Sequence, residues 1–197
     1  MNSAKTSSTT VIALTRHGQT DWNAQFKLQG VSDIPLNDVG RGQASEAATR
    51  FASEEWHRVV TSPLSRAAET GRIIAEGIGL EVHGHYDELK ERDYGQGEGK
   101  NAAELAELWP NGDYADMEER ESVAARGRAA LDRIIDDHGG QSVIVVAHGT
   151  LIREVLRTLT PVEVPPILNA ASSVIEHRDG EWTVVTINDE NHIEPSA

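Results

Sequence analysis

The sequence has no cysteine among its 197 residues. This absence excludes disulfide bonds, thiolate metal sites and cysteine nucleophiles, although it does not identify a compartment. No apolar stretch approaches the roughly 20 residues that a helix needs to cross a bilayer. The first ten residues also lack the apolar segment that would follow Lys5 in a secretory signal. We therefore expect no membrane span, a disordered leader over residues 1–10 and a cytoplasmic location.

Basic residues are scarce, since 18 lysines and arginines stand against 32 aspartates and glutamates, for a formal net charge of -14. Such acidity excludes broad binding to nucleic acid or to an anionic membrane, because phosphate groups require a basic surface. Any anion site must therefore be local. The length suits a single domain, which we place at residues 11–187, followed by a polar tail over 188–197. No sequence pattern indicates the oligomeric state.

Runs of β-branched residues alternate with helical patterns along the chain. Strands are predicted at "VIAL" (11–14), "HRVV" (57–60) and "SVIVVAH" (142–148), and "RDG" between 172–177 and 181–188 predicts a hairpin. Helices are predicted over 37–51, 63–78, 118–137 and 150–159, the second with Ser62 as its N-cap and Pro63 at its first position. This alternation predicts an α/β fold, a three-layer sandwich with a mostly parallel mixed sheet flanked by helices. Segment 80–116 interrupts the alternation, and we expect it to cover the carboxyl edge of the sheet, where such folds bind ligands.

The dipeptide His-Gly occurs four times, and two of the occurrences directly follow an apolar strand. His83 and His138 lie in polar surroundings and are interpreted as exposed or capping residues. His17 and His148 follow the two most apolar strands. If these strands are parallel neighbours, the two histidines emerge side by side at the same edge of the sheet.

Two arginines accompany the strand-end histidines. Arg16 precedes His17, and Arg66 lies in the first turn of a predicted helix, where free N–H groups favour an anion. Guanidinium groups match phosphate oxygens, so we infer that the ligand is a phosphoryl group. Their charges favour the neutral form of a nearby histidine, and a neutral imidazole can attack phosphorus to give a labile phosphohistidine. A purely structural role would account for His17 alone but not for the whole set.

Five segments occur in an order that strongly resembles the motifs of the histidine phosphatase superfamily, which includes cofactor-dependent phosphoglycerate mutases and many phosphatases. They are "TRHGQTDWN", "DIPLNDVGRGQA", "SPLSRAAET", "LKERDYG" and "VVAHGTLIR". The resemblance covers about residues 10–175 and implies a phosphoglycerate mutase-like fold with His17 as the nucleophile. The other residues that it implies are Arg16, Arg66 and His148 in the phosphate pocket, Asn23 as a further donor, and Gln29 and Gly30 at the entrance.

A leaving oxygen also requires a proton. In the family this proton comes from a glutamate in an L-x-E-x-x-x-G pattern, which matches Glu91 in "LKERDYG". A carboxylic acid beside a bound phosphoryl group can donate first and then accept a proton from the attacking water. Glu88 and Asp93 are the nearby alternatives. The chain departs from the family at Gly95–Gly99, "GQGEG", where many of these phosphatases carry a tryptophan in a "G-E-W-E-G" stretch.

The resemblance favours the phosphatase branch, because His148 follows Glu91 by only 57 positions and the C-terminal tail is short and acidic, whereas mutases have a longer insertion and tail. We predict a phosphomonoesterase of the histidine acid phosphatase type that hydrolyses a small phosphorylated substrate. No metal or other cofactor is expected, since no third ligand accompanies "HGH" at 83–85. A cofactor-dependent phosphoglycerate mutase and a noncatalytic phospho-ligand binding module are the alternatives.

Overall fold

Eight strands and six α-helices lie in the part of the chain that the computed structural model describes, residues 9–189, 191 and 192. The strands are β1 (Thr10–Arg16), β2 (Arg58–Thr61), β3 (Val82–His85), β4 (Ser142–Ala147), β5 (Ser172–Arg178), β6 (Glu181–Val184), β7 (Thr186–Ile187) and β8 (Asn191–His192). The helices are α1 (Asp21–Ala24), α2 (Asp38–Phe51), α3 (Ser65–Gly77), α4 (Ala102–Leu108), α5 (Arg120–His138) and α6 (Gly149–Arg157). Two short 3-10 turns, Asp87–Leu89 and Gly95–Gly97, lie between β3 and α4.

Six strands form one mixed sheet in the order β3-β2-β4-β1-β5-β6. The first four of these run parallel, while β5 is antiparallel to β1 and forms the predicted hairpin with β6. Strand β4 lies between β1 and β2 in the sheet although it follows both in the sequence. The order in which strands are added along the sheet therefore changes direction at the β1–β4 pair. Parallel sheets bind ligands beyond the carboxyl ends of their strands at such a point.

Alternate side chains of the central strands pack into two separate cores. Ile12 and Leu14 of β1 belong to a cluster that includes residues of α5 and α6, whereas Ala13 packs with residues of α2 and α3. The two-residue period of a strand sends neighbouring side chains to opposite faces of the sheet. The helices therefore cover both faces, and the predicted three-layer α/β sandwich is confirmed.

Helix α2 packs directly against the backbone that follows β1. Asn37 caps the helix by accepting a hydrogen bond from the backbone N–H of Gly40 at 2.9 Å. A Cβ atom at Gly40 would lie 2.1 Å from the carbonyl oxygen of Gln19, and one at Gly18 would lie 2.3 Å from the carbonyl oxygen of Gly40. The absence of both side chains thus allows the helix to approach the segment that contains His17.

The predicted N-cap of α3 is wrong. The helix begins at Ser65, and its N-cap is Leu64, which makes no side-chain capping bond. Ser62 is fully buried, and its hydroxyl accepts a hydrogen bond from the N–H of Leu64 at 3.3 Å while lying 2.8 Å from Nε2 of His148. The serine therefore connects the start of α3 to the residue that follows β4.

Segment 80–116 contains a strand that the sequence did not predict. Strand β3 pairs with β2 at the edge of the sheet, and its residues alternate between half-buried and exposed. Two of its four residues are histidines and one is a glycine, so no apolar run marks it. The same segment brings Glu91 and Tyr94 to a cavity at the carboxyl edge of the sheet.

The ends of the predicted domain are only partly described. Thr10, which the sequence placed in the leader, is the first residue of β1. Residues 1–8 of the predicted leader, and residues 190 and 193–197 of the predicted tail, lie outside the described residues. Among the helices described, none combines the length and apolar character that a membrane span requires.

Candidate active site

The register of β1 and β4 brings His17 and His148 together. Arg16 is paired with Ala147 in this parallel ladder, so the next residue of each strand emerges at the same edge. The two imidazole rings have their centroids 5.2 Å apart, and both residues are buried. The expectation that the two histidines lie side by side is therefore confirmed, while their chemical roles stay predictions.

His17 is held as a neutral imidazole with its lone pair on Nε2. Its Nδ1 lies 2.6 Å from the carbonyl oxygen of Gly18, which only accepts hydrogen bonds, so Nδ1 carries the proton. Burial, together with the charges of Arg16 and Arg66, lowers the pKa of His17 well below its ordinary value. The ring therefore presents an unprotonated Nε2, as a nucleophile requires.

Arg66 is fixed against this nitrogen by three hydrogen bonds. Its Nε donates to Nε2 of His17 at 3.2 Å, and its two terminal nitrogens donate to the carbonyl oxygens of Ser32 at 2.8 Å and Gly30 at 2.6 Å. The residue is fully buried, and burial lowers its pKa to about 10. Arg66 is therefore still charged at neutral pH, and its position is set by the loop over residues 30–32.

Arg16 supplies a second buried positive charge. One terminal nitrogen donates to the carbonyl oxygen of Ile167 at 2.7 Å, and Nε is buried without a hydrogen-bond partner among the described residues. Burial lowers the pKa of Arg16, and the nearby carboxylate of Glu91 partly opposes this effect. Two buried guanidinium groups and an unpartnered N–H are the features that an anion would satisfy.

His148 has one bonded and one unbonded ring nitrogen. Nε2 is paired with the hydroxyl of Ser62, whereas Nδ1 is buried with no hydrogen-bond partner in the described part of the chain. Burial and the charges of Arg66, His17 and Arg16 lower the pKa of His148 well below its ordinary value. Among the described residues, His148 thus leaves one buried ring nitrogen without a partner beside His17.

Glu91 is anchored at the N-terminus of α6, the helix that follows His148. One carboxylate oxygen accepts from the backbone N–H of Thr150 at 3.0 Å, and the other accepts from those of Leu151 at 3.0 Å and Arg92 at 2.8 Å. Free N–H groups at a helix start hold a carboxylate in a defined position. The hydroxyl of Tyr94 lies 2.6 Å from that of Thr150, and burial followed by the charge of Glu91 raises the pKa of Tyr94 to about 12.

The alternatives to Glu91 lie outside this cavity. The carboxylate of Asp93 accepts a hydrogen bond from the N–H of Gly95, and Glu88 lies 3.4 Å from Arg133 of α5. Neither residue lines the cavity that contains His17, whereas Glu91 does. The position of Glu91 thus favours it as the proton donor, and that role stays a prediction.

The site opens into a cavity of about 310 Å³. Asn23 lines it, and its side-chain oxygen accepts a hydrogen bond from the N–H of Thr20 at 3.1 Å. Gln29 is buried, with its oxygen bonded to the Thr20 hydroxyl and its nitrogen without a partner among the described residues. Gly30 also lines the cavity. The structure therefore brings every predicted site residue to one place, with His148 just behind the cavity wall.

The "GQGEG" stretch replaces the expected tryptophan with a glycine, and another ring fills the space. A Cβ atom at Gly97 would lie 2.8 Å from the ring of Tyr114, which in turn packs edge-on against Trp109. A tryptophan at this position would collide with Tyr114. The ring that packs against Gly97 is thus supplied by another part of segment 80–116.

Sequence reasoning missed several residues that shape the site. Arg126 of α5 donates to the carbonyl oxygens of Glu88 and Glu91 and so fixes the segment that carries Glu91. Asn169 donates to the carbonyl oxygen of His17 at 3.0 Å. Both residues contact backbone atoms far away in the sequence, so no local pattern marks them. Lys27, Arg120 and Arg153 also line the cavity.

The described residues contain no group of three or more His, Cys, Asp or Glu side chains arranged to hold a metal ion. Arg16, Arg66 and Asn23 line the cavity, and Nε of Arg66 lies 3.2 Å from Nε2 of His17, so the polar groups there suit an anion.

Comparison with known families gives one match that spans most of the chain. Residues 12–190 match the model of the histidine phosphatase superfamily (branch 1). The matched range contains all the residues described above at the site.

Individual relatives carry both phosphatase and mutase names. The chain is similar to the uncharacterized phosphatase PhoE of Bacillus subtilis (strain 168), with 36% identity over 188 residues that cover 93% of this chain and 97% of that protein. It is also similar to phosphoglycerate mutase-like protein 4 of Arabidopsis thaliana, with 37% identity over 203 residues, 94% of this chain and 88% of that protein. Among solved structures, Bacillus stearothermophilus YhfR aligns with a TM-score of 0.83 and 29% identity over 94% of this chain and 100% of that chain.

Proposed function

The chain belongs to branch 1 of the histidine phosphatase superfamily, and we propose that it hydrolyses a small phosphate monoester through a phosphohistidine on His17. The observation that carries this proposal is the state of His17. Its Nδ1 is committed to the carbonyl oxygen of Gly18, and its unprotonated Nε2 lies beside Arg66. This geometry supports attack of Nε2 on phosphorus.

In the first step, Nε2 of His17 forms a bond to phosphorus while the bond from phosphorus to the ester oxygen breaks. Arg16 and Arg66 neutralise the charge on the phosphoryl oxygens, and the amide of Asn23 adds a donor. If the hydroxyl of Ser62 donates to Nε2 of His148, then Nδ1 of His148 carries a proton and donates it in a hydrogen bond to a phosphoryl oxygen. The protonated carboxyl group of Glu91 gives its proton to the leaving oxygen, which departs as an alcohol.

In the second step, the carboxylate of Glu91 accepts a proton from water as the water oxygen attacks phosphorus. The bond between phosphorus and Nε2 breaks, which releases inorganic phosphate and restores neutral His17. The backbone N–H groups of Thr150 and Leu151 stabilise the ionised form of Glu91 between the two proton transfers.

Phosphoglycerate mutase activity is the second candidate, because a mutase-like relative matches 94% of the chain. A mutase uses the same phosphohistidine but returns the phosphoryl group to the glycerate and excludes water. A noncatalytic phospho-ligand module would bind the same ligands without turnover.

Phosphate release from a panel of phosphomonoesters, measured for the wild type and for His17→Ala, tests the proposal. We expect release that is insensitive to EDTA, inhibited by vanadate and lost in His17→Ala. Interconversion of 2- and 3-phosphoglycerate that depends on a bisphosphate primer and exceeds phosphate release would establish the mutase instead. Tight binding of phosphoesters without either activity would establish the noncatalytic module.

A further inference from the structure

The carboxylate of Glu98 binds a loop of the active site, although Glu98 is not among the described residues that line the cavity. One oxygen accepts hydrogen bonds from the backbone N–H groups of Val31 at 2.8 Å and Tyr94 at 3.2 Å. The other accepts from the N–H of Ser32 at 2.8 Å and from the Ser32 hydroxyl at 2.5 Å. The carboxylate therefore joins the loop over residues 30–32 to the segment that follows Glu91.

Backbone pairing brings the same parts of the chain together just before the loop. The N–H of Leu28 donates to the carbonyl oxygen of Lys100 at 2.9 Å, and the N–H of Gly99 donates to that of Leu28 at 2.7 Å. Gly30 then adopts a positive φ of 55°, and a Cβ atom there would lie 1.8 Å from the Glu98 carboxylate. Because glycine lacks this atom and adopts such a φ without strain, the loop packs directly onto the carboxylate.

The peptide unit between Gly30 and Val31 lies between Glu98 and Arg66. Its carbonyl oxygen, on Gly30, accepts from a terminal nitrogen of Arg66 at 2.6 Å, while its N–H, on Val31, donates to Glu98. Hydrogen bonds in such a chain polarise one another, so a peptide that donates to a carboxylate is a stronger acceptor at its carbonyl oxygen. Glu98 therefore both orients and strengthens the hydrogen bond that Gly30 makes with Arg66.

The second carbonyl oxygen that holds Arg66 depends on the same carboxylate. Ser32 accepts from the other terminal nitrogen of Arg66 at 2.8 Å, while its own N–H and hydroxyl bind Glu98. The next residue, Asp33, accepts from the N–H and the hydroxyl of Ser65, both at 2.8 Å, where α3 begins. The loop is thus held on one side by α3, the helix that carries Arg66, and on the other side by Glu98.

These contacts lead to the atom that would attack phosphorus. Arg66 donates from Nε to Nε2 of His17 at 3.2 Å. Burial lowers the pKa of Arg66, and nearby carboxylates, Glu98 among them, oppose that decrease. A continuous chain of hydrogen bonds therefore runs from Glu98 through one peptide and one guanidinium group to His17.

We propose that Glu98 is a positioning residue for Arg66, because the loop that it fixes sets where the guanidinium group lies relative to Nε2 of His17 and to a bound phosphoryl group. The consequence for catalysis rests on the proposed phosphatase function. The consequence for Arg66 itself does not, since the contacts are present without a ligand.

Glu98→Gln removes the charge and keeps the size of the side chain. Whichever way the new amide turns, its N–H₂ group faces the N–H of either Val31 or Ser32, so one of these donors loses its acceptor. We expect kcat/KM for p-nitrophenyl phosphate to fall about tenfold, the cost of losing a hydrogen bond to a charged group. In an Arg66→Lys background the same change should cost no more than about twofold, because residues that act through one another are not additive.

A spectroscopic readout tests the positioning without turnover. In the ligand-free, isotope-labelled protein, the Nε–H resonance of Arg66 is identified by its absence from the spectrum of Arg66→Lys. This resonance reports on the hydrogen bond to Nε2 of His17. We expect Glu98→Gln to shift it by more than its line width, because the guanidinium group moves when the loop does.

Glu104→Gln is the matched control, since that carboxylate accepts from the N–H of Asn101 at 2.8 Å in the exposed cap of α4. It should leave both kcat/KM and the Arg66 resonance unchanged. Thermal unfolding of each variant ensures that folded proteins are compared. An equal loss of kcat/KM from Glu98→Gln in both backgrounds, or an Arg66 resonance that does not move, would overturn the assignment. If the wild type hydrolyses no phosphomonoester, the proposed function fails, and the resonance alone decides on Glu98.

Discussion

The guanidinium Nε of Arg66 donates a hydrogen bond to Nε2 of His17 at 3.2 Å. The group that would bind the phosphoryl oxygens and the atom that would attack phosphorus are therefore in direct contact. This contact requires a lone pair on Nε2, which the hydrogen bond from Nδ1 to the carbonyl oxygen of Gly18 provides. The pair of Arg66 and His17 thus combines the positive charge of the guanidinium group, the tautomer with a lone pair on Nε2, and the close contact between the two.

Replacement of Arg66 by lysine should lower kcat/KM by about 100-fold, the typical cost of one donor to a developing charge. A lysine is a point charge and cannot reproduce three hydrogen bonds in a fixed plane. Arg72→Lys is the matched control on the same helix, because Arg72 is exposed and pairs with Glu76 at 2.7 Å. Steady-state kinetics of both variants check the prediction, and similar losses in the two would contradict it.

The two buried histidines should make the protein less stable in acid. Both pKa values lie well below the ordinary 6.5, so below that pH the unfolded chain takes up protons that the folded chain does not. The free energy of unfolding is therefore expected to be unaffected by these groups above pH 6.5 and to fall as the pH drops below it, by up to about 1.4 kcal/mol per pH unit for each histidine.

Denaturant unfolding at several pH values between about 6.5 and 5 measures this slope around the ordinary histidine pKa. His17→Asn and His148→Asn should each flatten it. His83→Asn, which changes an exposed histidine, should not alter it. An unchanged slope in both buried variants would show that these histidines are not the cause.

Replacement of Glu91 by glutamine should have an effect that depends on the leaving group. An alkyl alcohol needs a proton to depart, so kcat for an alkyl phosphate should fall by about 100-fold or more, as expected for loss of a general acid. A nitrophenolate departs without a proton, so formation of the phosphohistidine from p-nitrophenyl phosphate should be affected much less. Stopped-flow release of nitrophenolate and steady-state phosphate release from glycerol 3-phosphate give the two rates.

Glu88→Gln and Asp93→Asn are the controls for this assignment, because both carboxylates lie close to Glu91 in the sequence but outside the cavity. Neither should change the ratio of the two rates. If one of them does and Glu91→Gln does not, the proton donor has been assigned to the wrong residue.

Two glycines of α2 should respond in opposite directions to alanine. Gly40→Ala places a Cβ atom 2.1 Å from the carbonyl oxygen of Gln19 and should destabilise the protein by about 1–3 kcal/mol. Gly42 has no atom within 4 Å of the added Cβ, so Gly42→Ala should stabilise the helix by about 0.5–1 kcal/mol. Chemical unfolding measures both, and equal effects would exclude the close approach of α2 to the segment after β1.

The sequence predicted the parts of the fold that rest on strong apolar periodicity. The runs at 11–14 and 142–148 are buried on both faces of the sheet, and this burial is what makes them continuous and easy to identify. Strand β3 was not predicted, because an edge strand needs few apolar residues and so has no apolar run that would mark it. The placement of Arg16, His17 and His148 at one edge followed from the parallel order of β1 and β4.

The remaining features depend on contacts between distant segments. Ser62 has the local pattern of an N-cap, yet its partner is His148, 86 residues away. Glu98 and Arg126 bind backbone groups, and contacts of this kind produce no recognisable pattern in the sequence. The charge on the cavity wall likewise arises only when Lys27 and Arg153 are brought together by the fold.

Direct detection of a phosphoryl group on His17 is the measurement that tests the account most sharply. Turnover of a phosphomonoester is stopped with alkali, which preserves phosphohistidine, and the protein is digested and analysed by mass spectrometry. We expect one phosphoryl group on the peptide that contains His17, formed at least as fast as steady-state phosphate release and absent in His17→Ala. Hydrolysis at an undiminished rate by His17→Ala, or a phosphoryl group on another residue that forms and decays at the rate of turnover, would contradict the account.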